Sequence, residues 1–245
     1  MQRLLHNLPW GQNIVLLERV KRPKEREWYA REAVKHGWSR DVLVHQLESG
    51  LYERQGKALT NFPRTLPPEQ SDLARELLKD PYDLEFLGLG GDVDERVLEG
   101  GILERLQKFL LELGTGFAFV GRQVRLVVGG EEYFVDLLFY HCRLRCFVVV
   151  ELKAGAFKPE HAGKMNFYLA AVDAAMRHAE DRPSIGMILC RSKNRVVVEY
   201  SLHGTGKPIG VASYTLAKEL PGDLKRALPA PEEIERAVRA EDLSG

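Results

Sequence analysis

Three charged residues stand in the chain where apolar strands are expected. Asp136 interrupts Phe134-Val135-Asp136-Leu137-Leu138-Phe139-Tyr140, and Glu151 and Lys153 close Phe147-Val148-Val149-Val150-Glu151-Leu152-Lys153. A carboxylate in such a run is costly unless it is paired, hydrogen-bonded or bound to a metal. Side chains alternate along a strand, so Glu151 and Lys153 face the same side. Glu151 follows Asp136 by fifteen residues, a hairpin-length return. Two carboxylates on neighbouring strands, with an ammonium beside them, make a hard-oxygen site of the kind Mg²⁺ takes. That ion uses few protein carboxylates and keeps water and phosphate as its other ligands. Any one of these charges alone is as well explained as the polar edge of a strand; the three together favour the site.

The elements around them follow from periodicity. Phe117 to Val128 reads as a strand, Gly129-Gly130 as a tight hairpin turn, and Tyr133 to Tyr140 as the return strand. Cys146 to Leu152 is valine-rich and nearly all apolar, as in a central strand buried on both faces. Val93 to Leu113 before them and Pro159 to Ala179 after them read as helices. Ile185 to Cys190, Val196 to Tyr200 and Ile209 to Tyr214 read as further strands, and Leu224 to Ala240 as a surface helix. The first part of the chain is helical. Trp10 to Val20 and Glu25 to His36 are helix-length runs, with Gly37 as a C-terminal stop. Ser39 caps a helix running to Leu51, and Ser71 caps another that stops before Pro81. Thr60 to Pro68 is a proline-rich connection, and Gly88, Gly90 and Gly91 mark a linker. The expected fold class is a mixed α/β sheet flanked by helices, with a smaller all-α N-terminal domain. The expected domains are 1–88 (helical), 92–220 (the α/β unit) and 221–245 (a surface helix or tail).

Length and composition set the outer limits. The chain has 245 residues, is 44% hydrophobic and 29% charged, and balances 35 basic against 35 acidic side chains. One or two soluble domains fit, and wholesale disorder does not. No apolar run approaches the roughly 20 residues of a membrane helix. The N-terminal stretch is not read as a signal peptide, and three cysteines fit a reducing, cytoplasmic setting better than a disulfide scaffold. The neutral total hides segregation. Residues 1–64 carry 12 basic and 7 acidic side chains, 65–115 carry 5 and 12, 116–200 carry 12 and 9, and 201–245 carry 6 and 7. Two basic regions therefore flank an acidic middle, so phosphate contacts are not excluded.

Asp136 followed by Glu151-Leu152-Lys153 resembles the signature of the PD-(D/E)XK nuclease superfamily. The order helix, three strands, helix, strand is similar to that superfamily's core. The stretches FLLELGTGFAFVGRQ, DLLFYH, ELKAGAFKPEHAGKMNFYLAAVD and IGMILC resemble the YhcG-type family of nucleases. Upstream, LPWGQN, REWYA, GWSRDVL, NFPRTLP and KDPYDLEFL resemble the latter part of that family's helical N-terminal domain. Val135 stands where the superfamily's name has proline, a position without chemistry.

The resemblance implies a metal-dependent nuclease, most simply an endonuclease acting on DNA ahead of RNA. It implies Mg²⁺ (or Mn²⁺) held by Asp136, Glu151 and the main-chain carbonyl of Leu152, with Lys153 as the catalytic cation. Many superfamily members add a glutamate from the preceding helix. Glu99 shares the face of Ile102, Leu103, Leu106, Leu110 and Leu113 and is the expected residue, with Glu112 an alternative and Glu104 turned to solvent. On the later helix His161, Lys164 and Tyr168 share a flank. Superfamily nucleases often carry a polar residue and a tyrosine four apart there, so Lys164 and Tyr168 are expected to contact nucleic acid. Gln123 is expected to reach the site, while Arg122 and Arg125 read equally well as plain strand residues. Homo-oligomers are allowed; a membrane partner is not expected. The competing readings are an inactive nucleic-acid-binding module on a nuclease fold, and a protein-interaction domain using Trp28, Tyr29 and Trp38. In the nuclease reading the helix from Ser39 to Leu51 is a groove-reading element. His141, Cys142 and Cys146 lack a fourth zinc ligand. The stretch Gly204-Thr205-Gly206-Lys207-Pro208 lacks the upstream glycine and the Ser/Thr of a phosphate loop.

Overall fold

The computed structural model describes residues 8–91 and 93–217. The expected helix from Leu224 to Ala240 lies outside these. Helices α1 (Trp10–Arg19), α2 (Pro23–His36), α3 (Arg40–Glu48) and α4 (Leu51–Arg54) come first. Next are β1 (Leu59–Thr60), α5 (Phe62–Thr65), α6 (Pro68–Leu77), β2 (Tyr82–Asp83) and a 3₁₀ turn at Glu85–Leu87. Then follow α7 (Glu95–Glu104), α8 (Leu106–Leu113), β3 (Phe117–Val128), β4 (Glu131–His141) and β5 (Cys146–Ala156). The described chain closes with α9 (Pro159–Ala175), β6 (Ile185–Ser192), α10 (Arg195–His203) and β7 (Ile209–Thr215).

The sheet runs β1-β7-β6-β5-β4-β3, with β2 also pairing with β7. β3, β4 and β5 form an antiparallel meander, and β5, β6 and β7 are parallel. Gly129 and Gly130 turn β3 into β4 with φ of 63° and 86°, which side chains other than glycine rarely adopt. β5 is covered on both faces, hence its unbroken apolar run. Val148, Val150 and Leu152 pack with Leu98, Ile102 and Phe109 of α7 and α8. Val149 packs with Met165, Leu169 and Val172 of α9. The approach of α9 to β6 is close: a Cβ on Gly186 would lie 2.5 Å from Met165.

The helical unit has its own core of Val15, Leu16, Tyr29, Leu43 and Leu51. Tyr29 is buried there and donates to the Gln46 carbonyl, and Trp28 packs edge-on against Tyr29 and Tyr52. Tyr29 is thus core, with Trp28 and Trp38 partly buried against it. Residues 59–87, read from sequence with the helical part, pack instead on the sheet: Phe62, Tyr82, Leu84 and Leu87 join the apolar cluster under β5. A buried ion network ties the two parts together. Glu112, 1% exposed, accepts from Arg54 at 2.6 and 3.3 Å and from the Asp83 amide at 2.9 Å. Lys79 donates to the Glu112 carbonyl.

Several expected boundaries move. The helix from Ser39 ends at Ser49, because Gly50 takes φ 64° and starts α4. Ser39 does cap it, accepting from the Val42 amide at 3.2 Å. Only Arg40, Asp41 and Glu48 of α3 are exposed, which leaves little of it for a groove. Ser71 lies inside α6, which begins at Pro68, whose ring suits a first turn. The helix expected over Val93 to Leu113 divides at Arg105, whose φ/ψ of −118°/34° leaves the helical well. α9 stops at Ala175, short of Ala179. Val196 to Tyr200 is helix, not strand. Asn194 caps it by accepting from the Val196 and Val197 amides, and burial of Val198 and Leu202 at i and i+4 outweighs the β-propensity of valine.

Removing one partner from a buried ion network leaves charge without compensation. Glu112→Gln is expected to lose about 3 kcal/mol of stability, read as a lower urea midpoint. A second expectation concerns His141, whose Nδ1 accepts from the Leu144 amide at 3.0 Å. Burial pushes this imidazole down to about 4. The unfolded chain therefore takes up the proton first, so the contribution is full above about pH 6.5 and falls as pH drops toward 4. In urea titrations at pH 7 and pH 5, His141→Gln is expected to lose less stability on acidification than the parent.

Candidate active site

The site forms where two strands part. β4 and β5 pair from Leu137↔Val150 to His141↔Cys146 and then separate. Asp136 and Glu151 are the next residue on each strand, so both carboxylates enter the notch. Leu152, one step further, has no β4 partner for its amide. Asp136 Oδ2 supplies one, accepting from the Leu152 N–H at 2.9 Å. A residue's N–H and C=O point to the same strand edge, so the Leu152 carbonyl also faces the notch. There it accepts from Lys153 Nζ at 2.9 Å.

Glu151 is 1% exposed and lies between two ammonium groups. Its Oε1 is 3.0 Å from Lys153 Nζ and 2.5 Å from Lys164 Nζ. Its Oε2 is buried without a hydrogen-bond partner among the described residues. Burial and the neighbouring Glu151 raise the Asp136 carboxyl to about 6. Burial opposes the charge on Lys153, but Glu151 and Glu95 together hold its ammonium above the ordinary value. Lys164 also stands over the Tyr168 ring, 5.0 Å from its centroid. Burial raises the Tyr168 phenol.

Glu99 and Gln123 come to the same place. Gln123 Nε2 donates to Glu99 Oε2 at 2.5 Å and approaches Asp136 Oδ1 at 3.4 Å. Gln123 has φ 43°, rare for a side-chain-bearing residue. That conformation costs on the order of 1 kcal/mol and persists where surrounding contacts over-determine it. Glu95, one turn before Glu99, accepts from Lys153 Nζ at 3.0 Å and was not among the residues expected from sequence. The i, i+4 spacing of Glu95 and Glu99 was the available signal. Glu95, Arg96, Glu99, Arg122, Gln123 and Asp136 line a cleft of about 520 Å³.

Two expected alternatives fall away. Glu112 belongs to the Arg54–Lys79 network and not to the notch. His161 turns its Nδ1 to the Lys158 amide, at 3.1 Å, and serves the start of α9. Among the described residues no three His, Cys, Asp or Glu side chains stand together as a ready-made ligand set. The donors that fit a divalent ion are the Asp136 and Glu151 carboxylates and the Leu152 carbonyl. All are hard oxygens, and one of them is buried without a partner.

Residues 75–229 match the family model described as the YhcG PDDEXK nuclease domain, and residues 1–54 match the DUF1016 N-terminal domain. The chain belongs to the YhcG family of PDDEXK nuclease domains. It is 35% identical over 223 residues to the Escherichia coli (strain K12) protein named "Putative nuclease YhcG". That alignment covers 90% of this chain and 59% of the E. coli protein, so this YhcG-family chain spans well under two thirds of its relative. Among solved structures, a repair endonuclease from Pyrococcus abyssi overlaps 52% of this chain and 48% of its own, at 16% identity and a TM-score of 0.36. A complex of EndoMS with dsDNA overlaps 44% and 38%, at 14% identity and a TM-score of 0.28. Both overlaps are partial, and the assignment rests on the family match. No helix among the described residues is long and apolar enough to cross a membrane.

The strain at Gln123 gives a direct expectation. Gln123→Gly accepts φ 43° freely and is expected to match or exceed the parent in urea midpoint. Gln123→Ala keeps the strain and loses both amide contacts, so it should fall about 1 kcal/mol below the glycine variant.

Proposed function

We propose that this YhcG-family chain is a metal-dependent nuclease that hydrolyses phosphodiester bonds in nucleic acid, DNA foremost, by internal cleavage. The observation that carries the proposal is the strand fork: two carboxylates, a main-chain carbonyl and a lysine converge where β4 leaves β5. Asp136, Glu151 and the Leu152 carbonyl would hold the ion, with Mg²⁺ the best match to three hard oxygens and Mn²⁺ a substitute. Bound there, a divalent ion makes its water more acidic and offsets charge on the transferring phosphate.

The protein's own groups account for the rest. Lys153 stays protonated at neutral pH, so it acts as a fixed positive charge and not as a base. It is suited to stabilise charge that develops on a phosphate oxygen. The Leu152 amide orients Asp136 by donating to one of its oxygens, leaving the other toward the cleft. Gln123 braces Asp136 and Glu99 on the opposite flank. Lys164 is a second cation at Glu151, backed by the Tyr168 ring, and is placed to meet a phosphate. Glu99, bridged to Asp136 through Gln123, is the further carboxylate placed to join this ligand set, while Glu95 pairs with Lys153.

The test is incubation of the purified protein with single-stranded, duplex and branched DNA, with and without Mg²⁺. Cleavage is expected only with the ion. Asp136→Asn and Glu151→Gln should abolish it, and Lys153→Ala should lower it by about a hundredfold or more. Asp136→Asn should keep the fold, since asparagine retains an acceptor for Leu152 while ending repulsion with Glu151. Cleavage by Asp136→Asn at the parent rate would refute the assignment.

A further inference from the structure

Beyond Leu137, β4 no longer pairs with β5, so Glu131 to Val135 pair with β3 alone. β3 from Gly121 and β4 to Asp136 thus form a two-stranded ribbon that starts at the catalytic notch. One face of it is packed: Val124, Leu126, Tyr133 and Val135 lie in the cluster under α9, and Tyr133 meets the Phe167 ring at 4.7 Å. By alternation the other face carries Arg125, Val127 and Phe134. That face is open to solvent, with Phe134 42% and Val127 56% exposed. Phe134 stands directly across from Arg125, whose guanidinium is engaged by Glu132 at 2.5 Å. The exposed aromatic ring is therefore the group free to meet a ligand at that step.

Cations mark where the ribbon joins the cleft. Arg96 of α7 and Arg122 of β3 both line it, both are exposed, and neither has an ion-pair partner among the described residues. They sit among acidic residues that would repel phosphate, so their positive charge offsets that repulsion at the entrance.

We propose that the outer face of this ribbon guides an unpaired strand of nucleic acid to the notch, with Phe134 stacking on a base and Arg96 and Arg122 taking backbone phosphates. Every base offers a π-face once it is unstacked, whereas an intact duplex hides those faces from an aromatic side chain on a ribbon. The occupant is thus a single strand or the unpaired part of a branched or distorted duplex. This inference rests on the nuclease reading for the direction of the strand, but its test does not need cleavage.

The measurement is fluorescence anisotropy without divalent ion, using a labelled 20-nucleotide single strand and a duplex of the same sequence. Phe134→Ala is expected to weaken single-strand binding about tenfold, within the range found for one base stack, and to leave duplex binding unchanged. Phe134→Trp should restore it, which a loss of fold would not allow. Arg96→Ser and Arg122→Ser should each weaken binding and lower the salt slope by about 0.7. Equal single-strand affinity in Phe134→Ala and the parent would overturn the proposal. So would sedimentation showing a dimer that Phe134→Ala dissociates, because the apolar face would then belong to a second copy of the chain. A protein that binds single strands through Phe134 but cuts nothing would keep this proposal and lose the nuclease reading. Cleavage of single strands by Phe134→Ala at parental affinity would do the reverse.

Discussion

The parting of β4 from β5 after Leu137 and Val150 is the constraint on which the site depends. Two paired strands satisfy each other's amides and leave no room between them. Once they diverge, the Leu152 N–H faces a gap, and an unpaired buried amide costs as much as a lost hydrogen bond. Asp136 fills that vacancy with one carboxylate oxygen. The same geometry turns the Leu152 carbonyl and the Glu151 side chain into the gap. A backbone problem and the proposed metal-holding arrangement thus share one solution. The charge of Asp136, costly in an apolar strand, has an amide donor and two lysines beside it, and burial first and Glu151 second raise its pKa.

Around the fork, the rest of the fold acts as a set of walls. α9 brings Lys164 and Tyr168 to Glu151 from one side, because Met165 and Leu169 must pack on the sheet. α7 brings Glu95 and Glu99 from the other, because Leu98 and Ile102 are buried against β5. The acidic middle of the sequence therefore divides into distinct roles. Glu95 and Glu99 border the cleft, whereas Glu112 neutralises Arg54 and Lys79 where the helical unit meets the sheet. The balance of 35 basic and 35 acidic residues says little about substrate until those roles are separated.

The helical unit is held through that buried network and through residues 59–87, which run along the sheet. Tyr29 fills its core with Trp28, Trp38 and Tyr52 packed partly buried against it, and α3 is mostly covered. The ribbon and the mouth of the cleft carry an exposed aromatic ring beside basic groups. The chain spans 59% of the length of the matched E. coli protein.

The sequence by itself determined the five long strands, β3 to β7, and which charges within them are anomalous. Period-two alternation, a Gly-Gly turn and an all-apolar central strand depend on local chemistry, and Asp136, Glu151 and Lys153 stand out against them. The YhcG likeness was equally legible, since it lies in contiguous stretches of text. Propensity failed where packing over longer range prevailed. Val196 to Tyr200 became helix because an asparagine cap and two buried side chains favoured it, and the helix over Val93 to Leu113 broke at Arg105. Only the tertiary structure decided which acids meet which cations. Glu99 reached the cleft but Glu112 left it, and Glu95 joined Lys153 across 58 residues of sequence. The divergence of β4 from β5 was likewise invisible, because strand pairing is set by contacts between distant segments, and no local pattern states where a pairing ends.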